Sequence, residues 1–186
     1  METLRLSLRE IQHGKFHFLQ SADKIGYMEL IKLTAEYDQA LAELIRHNLK
    51  AHGLDIPGTV YFDNGLDHLS KFYSDTADRR AYYVLTDNDD VLIGGVGFAE
   101  FAFFDNCAEL QKIYLADHVK GRGLGRMLVK FIEEKAAEQG FAKMYLETHT
   151  NLDIAIRMYE KLGYREISRP ASVQHGAMNK FYIKDI

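Results

Sequence analysis

The chain has 186 residues, of which 47% are hydrophobic and 27% are charged, and its formal net charge is -4 at neutral pH. This length and hydrophobic content suffice for one globular domain with a core of its own. Basic residues are outnumbered by acidic ones and scattered among them, which excludes a typical nucleic-acid-binding or membrane-surface protein. The expected partner is therefore a small molecule or a peptide.

Two further classes are excluded by features that the sequence lacks. Its single cysteine, Cys107, can form neither an internal disulfide nor a cysteine-based zinc site, which is typical of a reducing compartment. No apolar run approaches the length of a membrane span, and charges interrupt residues 1–10 where a signal peptide would be apolar. The sequence therefore predicts a cytoplasmic protein.

Periodicity predicts the elements in chain order. Residues 1–27 show no sustained period and predict an appended strand or helix of unknown role, so we interpret them as an N-terminal extension to a domain over residues 28–186. The domain begins with a strand, two helices and three strands over residues 29–33, 36–50, 66–73, 81–86, 91–104 and 107–115. It continues with helix, strand, helix and two closing strands over residues 124–139, 142–148, 153–162, 164–168 and 178–183.

The strand over residues 107–115 leads directly into a glycine-rich turn. Strict alternation along this strand predicts two opposite faces, Leu110, Lys112 and Tyr114 against Gln111, Ile113 and Leu115. The turn that follows opens a helix, and such a turn leaves unpaired backbone N–H groups at the positive end of the helix dipole. Glycine lets the backbone adopt positive φ and lets an anion approach closely, so the turn predicts a phosphate-binding site.

Spacing distinguishes the phosphate motifs that could fill this turn. The dinucleotide pattern G-x-G-x-x-G would need glycine at Arg126 if it began at Gly121, and the G-K-[ST] of a P-loop is absent. The pattern [R/Q]-x-x-G-x-[G/A] is filled by Lys120, Gly123 and Gly125, with lysine keeping the charge of the usual arginine but not its planar fork. On these residues the chain resembles the GNAT superfamily of N-acetyltransferases. Taken alone, the turn is also compatible with a tight strand-to-helix connection.

A second motif supports the resemblance. Residues 151–164 look like the family pattern N...A-I-x-x-Y-E-K-x-G-[FY], although Asn151 lies one residue further from Ala155 than is usual. Residues 54–61 resemble a subgroup of uncharacterised bacterial GNAT proteins. The resemblance implies an α/β GNAT fold, in which a central mixed, mostly antiparallel sheet is flanked by helices in the order β-α-α-β-β-β-α-β-α-β-β.

The resemblance also implies acetyl-CoA as co-substrate. In this family the turn grips the coenzyme pyrophosphate, which assigns that role to Lys120, Gly121, Arg122, Gly123, Leu124, Gly125 and Arg126. The pantetheine arm is expected to pair with the preceding strand at Ile113, Tyr114 and Leu115, where two parallel strands splay apart, and the main chain there would polarise the thioester carbonyl. Asn151 is a further expected contact.

Acetyl transfer to an amine needs a base, because alkylamines are mostly protonated near neutral pH. Glu109 is the candidate, since a strand glutamate at the matching place activates the amine in histone-modifying relatives; the alternative is a solvent-facing carboxylate. Tyr159 occupies the family position of the acid that protonates the leaving thiolate. Its alternative is a core aromatic, because it shares helical spacing with an apolar face.

Other candidate groups are disfavoured. Cys107 could carry an acetyl group, but a lone strand cysteine is more typically a small buried hydrophobe. His13 and His17 have the i, i+4 spacing of a helical metal pair, yet no third ligand accompanies them, so no metal is expected.

The resemblance assigns acceptor specificity to residues 53–66 and 170–179. We expect an N-acetyltransferase that transfers acetyl from acetyl-CoA to a primary amine of a small molecule or amino acid by direct attack. The alternatives are a protein or peptide N-acetyltransferase and a non-catalytic acyl-CoA-binding sensor. Neither nucleic acid nor a membrane is an expected partner, and a homodimer is compatible with the fold.

Overall fold

The structure, a computed structural model, describes residues 7–11, 15–19, 28–74, 79–173 and 176–186. The strands in these ranges are β1 (Ser7–Ile11), β2 (Lys15–Leu19), β3 (Met28–Lys32), β4 (Arg80–Thr86), β5 (Leu92–Glu100), β6 (Cys107–Leu115), β7 (Lys143–Thr148), β8 (Arg165–Glu166) and β9 (Lys180–Asp185). The α-helices are α1 (Asp38–Ala51), α2 (Leu69–Ser74), α3 (Leu124–Glu138) and α4 (Asp153–Lys161). The element order from β3 onward is the predicted one.

The strands form one sheet in the spatial order β1-β2-β3-β4-β5-β6-β7-β9-β8. Every neighbouring pair is antiparallel except β6 and β7, which run parallel and are joined by α3 as a crossover helix. The sheet is therefore mixed and mostly antiparallel, and the predicted fold class is confirmed.

The N-terminal residues that the structure describes are strands. β1 and β2 form an antiparallel pair, and β2 continues the sheet by pairing with residues 28–30 of β3. His17 lies in β2, so it is not on a helix as the metal pair considered from the sequence would require. His13 lies outside the described residues.

Apolar side chains on the two faces of the sheet form two main clusters. On one face, α1 buries Leu41, Ile45 and Leu49, which recur every four residues and pack with α2 and β4. On the other face, α3 buries Leu128 and Ile132 among residues of β5, β6 and β7. No helix within the described ranges has both the length and the apolar character needed to cross a bilayer.

Tyr82 of β4 lies over two glycines of β5. A Cβ built on Gly97 would be 2.4 Å from Cδ2 of Tyr82, and one on Gly95 would be 2.7 Å from Cε1 of the same ring. These glycines therefore leave the space that the tyrosine ring fills. The Tyr82 hydroxyl continues past them and donates a 2.6 Å hydrogen bond to the carbonyl oxygen of Lys112 in β6.

A β-bulge at this point changes the direction of the β6 side chains. Gly97 is opposite Gln111 and Gly95 is opposite Tyr114, so β6 has one residue more than β5 between these two pairs, and Lys112 has a φ of 50°. The strict alternation predicted for β6 is therefore wrong beyond Gln111. The predicted opposite sets are mixed: Leu110, Ile113 and Leu115 all pack with the α3 cluster, whereas Tyr114 packs with the α1 cluster.

The parallel strands β6 and β7 pair over a short distance only. Cys107 is opposite Lys143, Ala108 is opposite Met144, and the register ends where Glu109 is opposite Tyr145. The strands diverge beyond this point. A gap between two strands exposes backbone groups and side chains in the middle of the sheet, so the divergence is where a ligand can enter.

Candidate active site

A cavity of about 90 Å³ lies beside the point where β6 and β7 diverge. Apolar side chains from α1 and the neighbouring loops line part of its wall, including Leu49, Val60 and Leu152. Most of its polar lining residues come from the two strands, among them Glu109, Gln111, Lys112, Glu147 and Thr148. The cavity therefore combines two carboxylates with one ammonium group.

Glu109 is a half-buried residue of this cavity. Its Oε2 accepts a 2.8 Å hydrogen bond from Nε2 of Gln111, and Oε1 of Gln111 accepts a 2.7 Å hydrogen bond from the hydroxyl of Tyr73 in α2. The three side chains form a chain that orients the carboxylate. The structure thus places Glu109 at the divergence of the strands rather than on an open solvent-facing surface.

Sequence reasoning missed Gln111 and Tyr73 as site residues. Gln111 follows Glu109 by two positions in a strand, so the period of the strand could have indicated that the two side chains lie side by side. Tyr73 has no such signal, because it is separated from Gln111 by 38 positions in sequence.

Lys112 is a further cavity residue that the sequence did not assign to the site. Its side chain is half-buried, and burial lowers the pKa of the ammonium group, while the charges of Asp63 and Glu109 act in the opposite direction. Glu147, on the facing strand, accepts a 3.3 Å hydrogen bond from the hydroxyl of Tyr145. The charged groups of the cavity thus come from both diverging strands.

Tyr159 lies in α4 with 4% of its surface exposed, in the cluster beneath α3. Its ring makes an edge contact with Tyr164 at a centroid distance of 5.8 Å, and burial raises the pKa of its phenol. Tyr159 is not among the residues that line the cavity. Tyr114 does line it, and burial together with the neighbouring Tyr159 raises the pKa of Tyr114.

The predicted phosphate turn lies between β6 and α3. Gly121 and Gly123 have φ values of 76° and 82°, and Gly123 is the residue before the first turn of α3. Among the described residues, the backbone amides of residues 121–126 have no backbone carbonyl as hydrogen-bond acceptor. The amide of Lys120 differs, because it donates to the carbonyl of Asp117 at 3.2 Å. The amide of Lys120 is therefore not open to a ligand, and only its side chain remains a candidate contact.

The side chains of the turn have different surroundings. Arg122 and Arg126 are exposed, whereas Leu124 is 2% exposed and can offer a ligand only its backbone. A Cβ on Gly125 would lie 3.1 Å from Sδ of Met158, so this glycine permits the close contact between α3 and α4. The turn thus combines open amides, two exposed guanidinium groups and a tightly packed helix start.

The ammonium group of Lys120 is held by two partners. It donates a 2.6 Å hydrogen bond to Oδ1 of Asp117 and a 2.7 Å hydrogen bond to Oδ1 of Asn48 in α1. Asp117 also contacts Nε2 of His47 at 2.8 Å. The hydrogen bonds from Lys120 and His47 lower the pKa of Asp117 to about 2. Lys120 therefore joins the turn to α1.

The end of β6 and the loop after β7 also contact α1. Nδ2 of Asn48 donates to the carbonyl of Leu115 at 3.2 Å, so that carbonyl already has a donor. Ile113 and Leu115 direct their side chains into the α3 cluster, which leaves only their backbone for a ligand. Asn151 donates from Nδ2 to the carbonyl of His52 at 2.8 Å, which directs its amide to the end of α1.

The remaining nucleophile and metal candidates are not supported as site groups. Cys107 is 1% exposed and packs with Tyr145 and Phe181, and burial raises the pKa of its thiol to about 11. In the described part of the chain, no three His, Cys, Asp or Glu side chains lie close enough together to hold a metal ion. The absence of a metal from the reaction stays a prediction.

Comparison with known proteins identifies the family. A model of the acetyltransferase (GNAT) family matches residues 39–164. The uncharacterized N-acetyltransferase YjgM of Escherichia coli strain K12 is 36% identical over 138 residues, which cover 73% of this chain and 81% of the relative.

Two solved structures have a similar fold. A GNAT-family acetyltransferase from Staphylococcus aureus Mu50 superposes with a TM-score of 0.74 at 20% identity, over 85% of this chain and 98% of that one. The PaiA N-acetyltransferase of Thermoplasma acidophilum, solved in complex with coenzyme A, gives a TM-score of 0.68 at 20% identity, over 86% and 99%. The predicted fold and the prediction of an acyltransferase are confirmed, and the chain belongs to the GNAT family of acetyltransferases.

Proposed function

We propose that this acetyltransferase transfers the acetyl group of acetyl-CoA directly to the primary amine of a small molecule or amino acid. The observation that carries the proposal is that strand β6 connects the proposed base, Glu109, to the turn with open amides. Glu109, held by Gln111, lies where β6 diverges from β7, and the open amides of residues 121–126 follow the other end of the same strand. An extended acetyl-CoA molecule lying along β6 would therefore contact the turn and bring its acetyl group near Glu109.

The turn supports a role in binding the coenzyme. The amides of residues 121–126 and the positive end of α3 suit a pyrophosphate, and the exposed Arg122 and Arg126 would add positive charge. The pantetheine arm would run along the backbone of Ile113, Tyr114 and Leu115. The complex of PaiA with coenzyme A supports this choice of donor.

We propose that Asn151 and Lys120 also contact the coenzyme, although part of each side chain is already bound to another protein group. Asn151 would contact the coenzyme through atoms other than the Nδ2 group that binds His52. Lys120 would contribute its charge while it remains bound to Asp117.

The chemistry follows from the groups at the divergence. Glu109 would accept the proton of the acceptor ammonium group, and the neutral amine would then attack the thioester carbonyl. When the tetrahedral intermediate collapses, the C–S bond breaks, and the coenzyme thiolate would take a proton from the Tyr159 hydroxyl. The nitrogen would lose its second proton to solvent, and the Tyr159 phenolate would regain a proton from solvent. Burial raises the pKa of that phenol, which keeps it protonated at neutral pH.

The cavity size supports a small acceptor. Its volume is about 90 Å³, whereas sites for drug-sized ligands commonly occupy about 300–1,000 Å³. A protein substrate could still insert a lysine tip or an N-terminus, and a sensor could bind the donor alone. The experiment therefore has to separate these three outcomes.

Calorimetry with acetyl-CoA tests the donor, and thiol release across amines, amino acids and peptides tests the acceptor. We expect micromolar binding of acetyl-CoA, thiol release with small amines or amino acids, and no loss of rate in a metal chelator. Release with peptides alone would favour the protein acetyltransferase. Binding without thiol release for any acceptor would favour the sensor, and no affinity for acetyl-CoA would refute the proposal.

We also propose residues 28–186 as the catalytic domain, residues 1–27 as its extension and the cytoplasm as its location. The single, buried Cys107 is compatible with a reducing compartment. A variant lacking residues 1–27 tests the domain boundary by its unfolding and thiol release. Light scattering of the full chain distinguishes a monomer from a homodimer.

A further inference from the structure

We propose that Lys112 determines acceptor specificity by binding a carboxylate of the acceptor. The acceptor would then carry both an amine and a carboxylate, as an amino acid does. The inference rests on the proposed function, because it concerns the second substrate of the same site.

The cavity has the charge pattern that such a zwitterion requires. Glu109 and Glu147 contribute carboxylates from the two diverging strands, and Lys112 contributes the one ammonium group among the described residues that line the cavity. An acceptor amine near Glu109 and an acceptor carboxylate near Lys112 would each meet a group of opposite charge. An acceptor that is only cationic would leave Lys112 without a group of opposite charge.

The backbone holds Lys112 in an unusual conformation. Its φ of 50° lies in the left-handed region, whereas the other non-glycine residues with positive φ in the described ranges, Asp90 and Asn106, lie in turns and are of types that tolerate it. Strained backbone that is held from outside is characteristic of functional sites. The holding contact here is the 2.6 Å hydrogen bond from Tyr82.

The bulge sets the backbone from which this side chain extends. In a regular strand, residue 112 would share a face with Ala108 and Leu110, which are buried in the α3 cluster. The extra residue of β6 interrupts that alternation, and Lys112 lines the cavity together with Glu109, Leu110 and Gln111. Tyr82, Gly95 and Gly97 surround the bulge that sets the backbone of Lys112.

Lys112 also differs from other lysines in its contacts. Several lysines pair with a carboxylate at 2.6 to 2.8 Å, namely Lys120, Lys135, Lys180 and Lys184. In the part of the chain that the structure describes, the ammonium group of Lys112 forms no ion pair or hydrogen bond, and Asp63 and Glu109 act on it only over a distance. A half-buried cation without a direct partner is costly, so a bound carboxylate would satisfy it.

Acceptor pairs that differ by one group provide the test. Thiol release is measured for alanine, alaninamide and ethylamine, and for phenylalanine, its amide and phenethylamine, with kcat/KM expressed per neutral amine. The variants are Lys112→Met and Lys112→Arg, with Lys130→Met on the exposed surface of α3 as the matched control. Acetyl-CoA calorimetry and thermal unfolding are measured for every variant.

We expect the wild type to prefer at least one amino acid over its amide and amine by tenfold or more. Lys112→Met should raise the KM of that amino acid at least tenfold and leave its amine unchanged or improved. Lys112→Arg should keep part of the preference, and Lys130→Met should keep all of it. Coenzyme affinity should be the same in all four proteins.

Two results would overturn the inference. One is a wild-type preference for amines or amides over the amino acids, and the other is an equal loss for all acceptors in Lys112→Met. Equal loss would assign Lys112 a structural or proton-transfer role. If Lys112→Met does not fold, the preference ratio of Lys112→Arg decides, because the longer side chain and its planar guanidinium group must still change that ratio.

Failure of the proposed function can be distinguished from failure of the carboxylate site. A protein without affinity for acetyl-CoA would refute the acetyltransferase reaction at this site. Calorimetric titration of the amino acids into the wild type and Lys112→Met would then decide the carboxylate site on its own. Equal affinity in the two proteins would overturn it.

Discussion

The side-chain amide of Gln111 donates a 2.8 Å hydrogen bond to Oε2 of Glu109 and accepts one of 2.7 Å from the hydroxyl of Tyr73. The first bond fixes the direction of the carboxylate, and the second fixes the amide that orients it. A donor to a carboxylate stabilises its charged form and so lowers its pKa. We therefore interpret Gln111 as a positioning residue for the proposed base.

Replacing Gln111 with methionine should shift the pH dependence of the reaction. Loss of the donor disfavours the charged form of Glu109, so the acidic limb of the kcat/KM profile moves to higher pH. The carboxylate is also less well oriented, which should lower the rate at neutral pH about tenfold. Gln39→Met is the matched control, because Gln39 makes a similar 2.9 Å bond to Glu43 on the exposed face of α1. An unshifted limb with a lower rate would indicate a purely structural role.

Replacing Glu109 with glutamine should remove the base. We expect kcat to fall by about 10²–10⁴ while the affinity for acetyl-CoA is retained. The defect should shrink as the pH approaches the pKa of the acceptor, because more of the amine is then neutral. Glu134→Gln, on the exposed surface of α3, is the control. If Glu147→Gln shows this behaviour and Glu109→Gln does not, the base is Glu147.

The sequence predicted those features that depend on neighbouring residues. The helical spacing of Leu41, Ile45 and Leu49 and the glycines at 121 and 123 are local patterns, and they predicted α1 and the left-handed turn before α3. The element order followed from such patterns. Such patterns are informative because the buried face of a helix and the backbone conformation of a turn are both determined within a few neighbouring residues.

Features that depend on other strands were not predicted. The bulge at Lys112 follows from a tyrosine on β4 and from glycines on β5, so alternation within β6 carried no signal of it. Lys120 was predicted to charge the turn, but its bond to Asn48 joins positions 72 apart. Pairwise contacts at such separations are decided by packing rather than by local sequence.

Replacing Tyr159 with phenylalanine tests the proposed acid. Turnover should fall tenfold or more with coenzyme affinity retained, because only the proton for the thiolate is lost. Tyr164→Phe is a close control, since both tyrosines are 4% exposed and their rings are in contact. Stopped-flow measurement of thiol release gives the rate of the chemical step. Equal turnover in Tyr159→Phe and the wild type would make Tyr159 a core residue only.

The contact between Asp117 and Lys120 predicts a pH-dependent part of the stability. The pKa of Asp117 is about 2 in the folded protein, below the unfolded value of about 3.9. The stabilisation is therefore present above about pH 4 and is lost as the pH falls toward 2. Asp117→Asn should be modestly less stable than the wild type at pH 7, and most of the difference should be lost by pH 2.

Denaturant unfolding at pH 7, 4 and 2 measures this difference. High salt should also reduce it, because the side chain of Asp117 is 62% exposed. Asp105→Asn, in the exposed turn before β6, is the control. A stability difference that persists at pH 2 would show that the charge of Asp117 does not cause it.

Replacing Gly121 with alanine separates backbone strain from coenzyme binding. Gly121 has a φ of 76°, and a Cβ at this position would meet no protein atom within 4 Å, so the space beside it is open to a ligand. Gly140, at the opposite end of α3, has a φ of 86° and equally open surroundings. Alanine should therefore lower the free energy of unfolding by about 1–2 kcal/mol at either position.

Only Gly121→Ala should weaken the binding of acetyl-CoA, by at least fivefold, because the added methyl group keeps the pyrophosphate away from the open amides. Calorimetry and denaturant unfolding are measured for both variants. If Gly140→Ala weakens binding equally, the loss comes from strain in α3 as a whole. If neither variant changes the affinity, the coenzyme phosphates do not contact the turn.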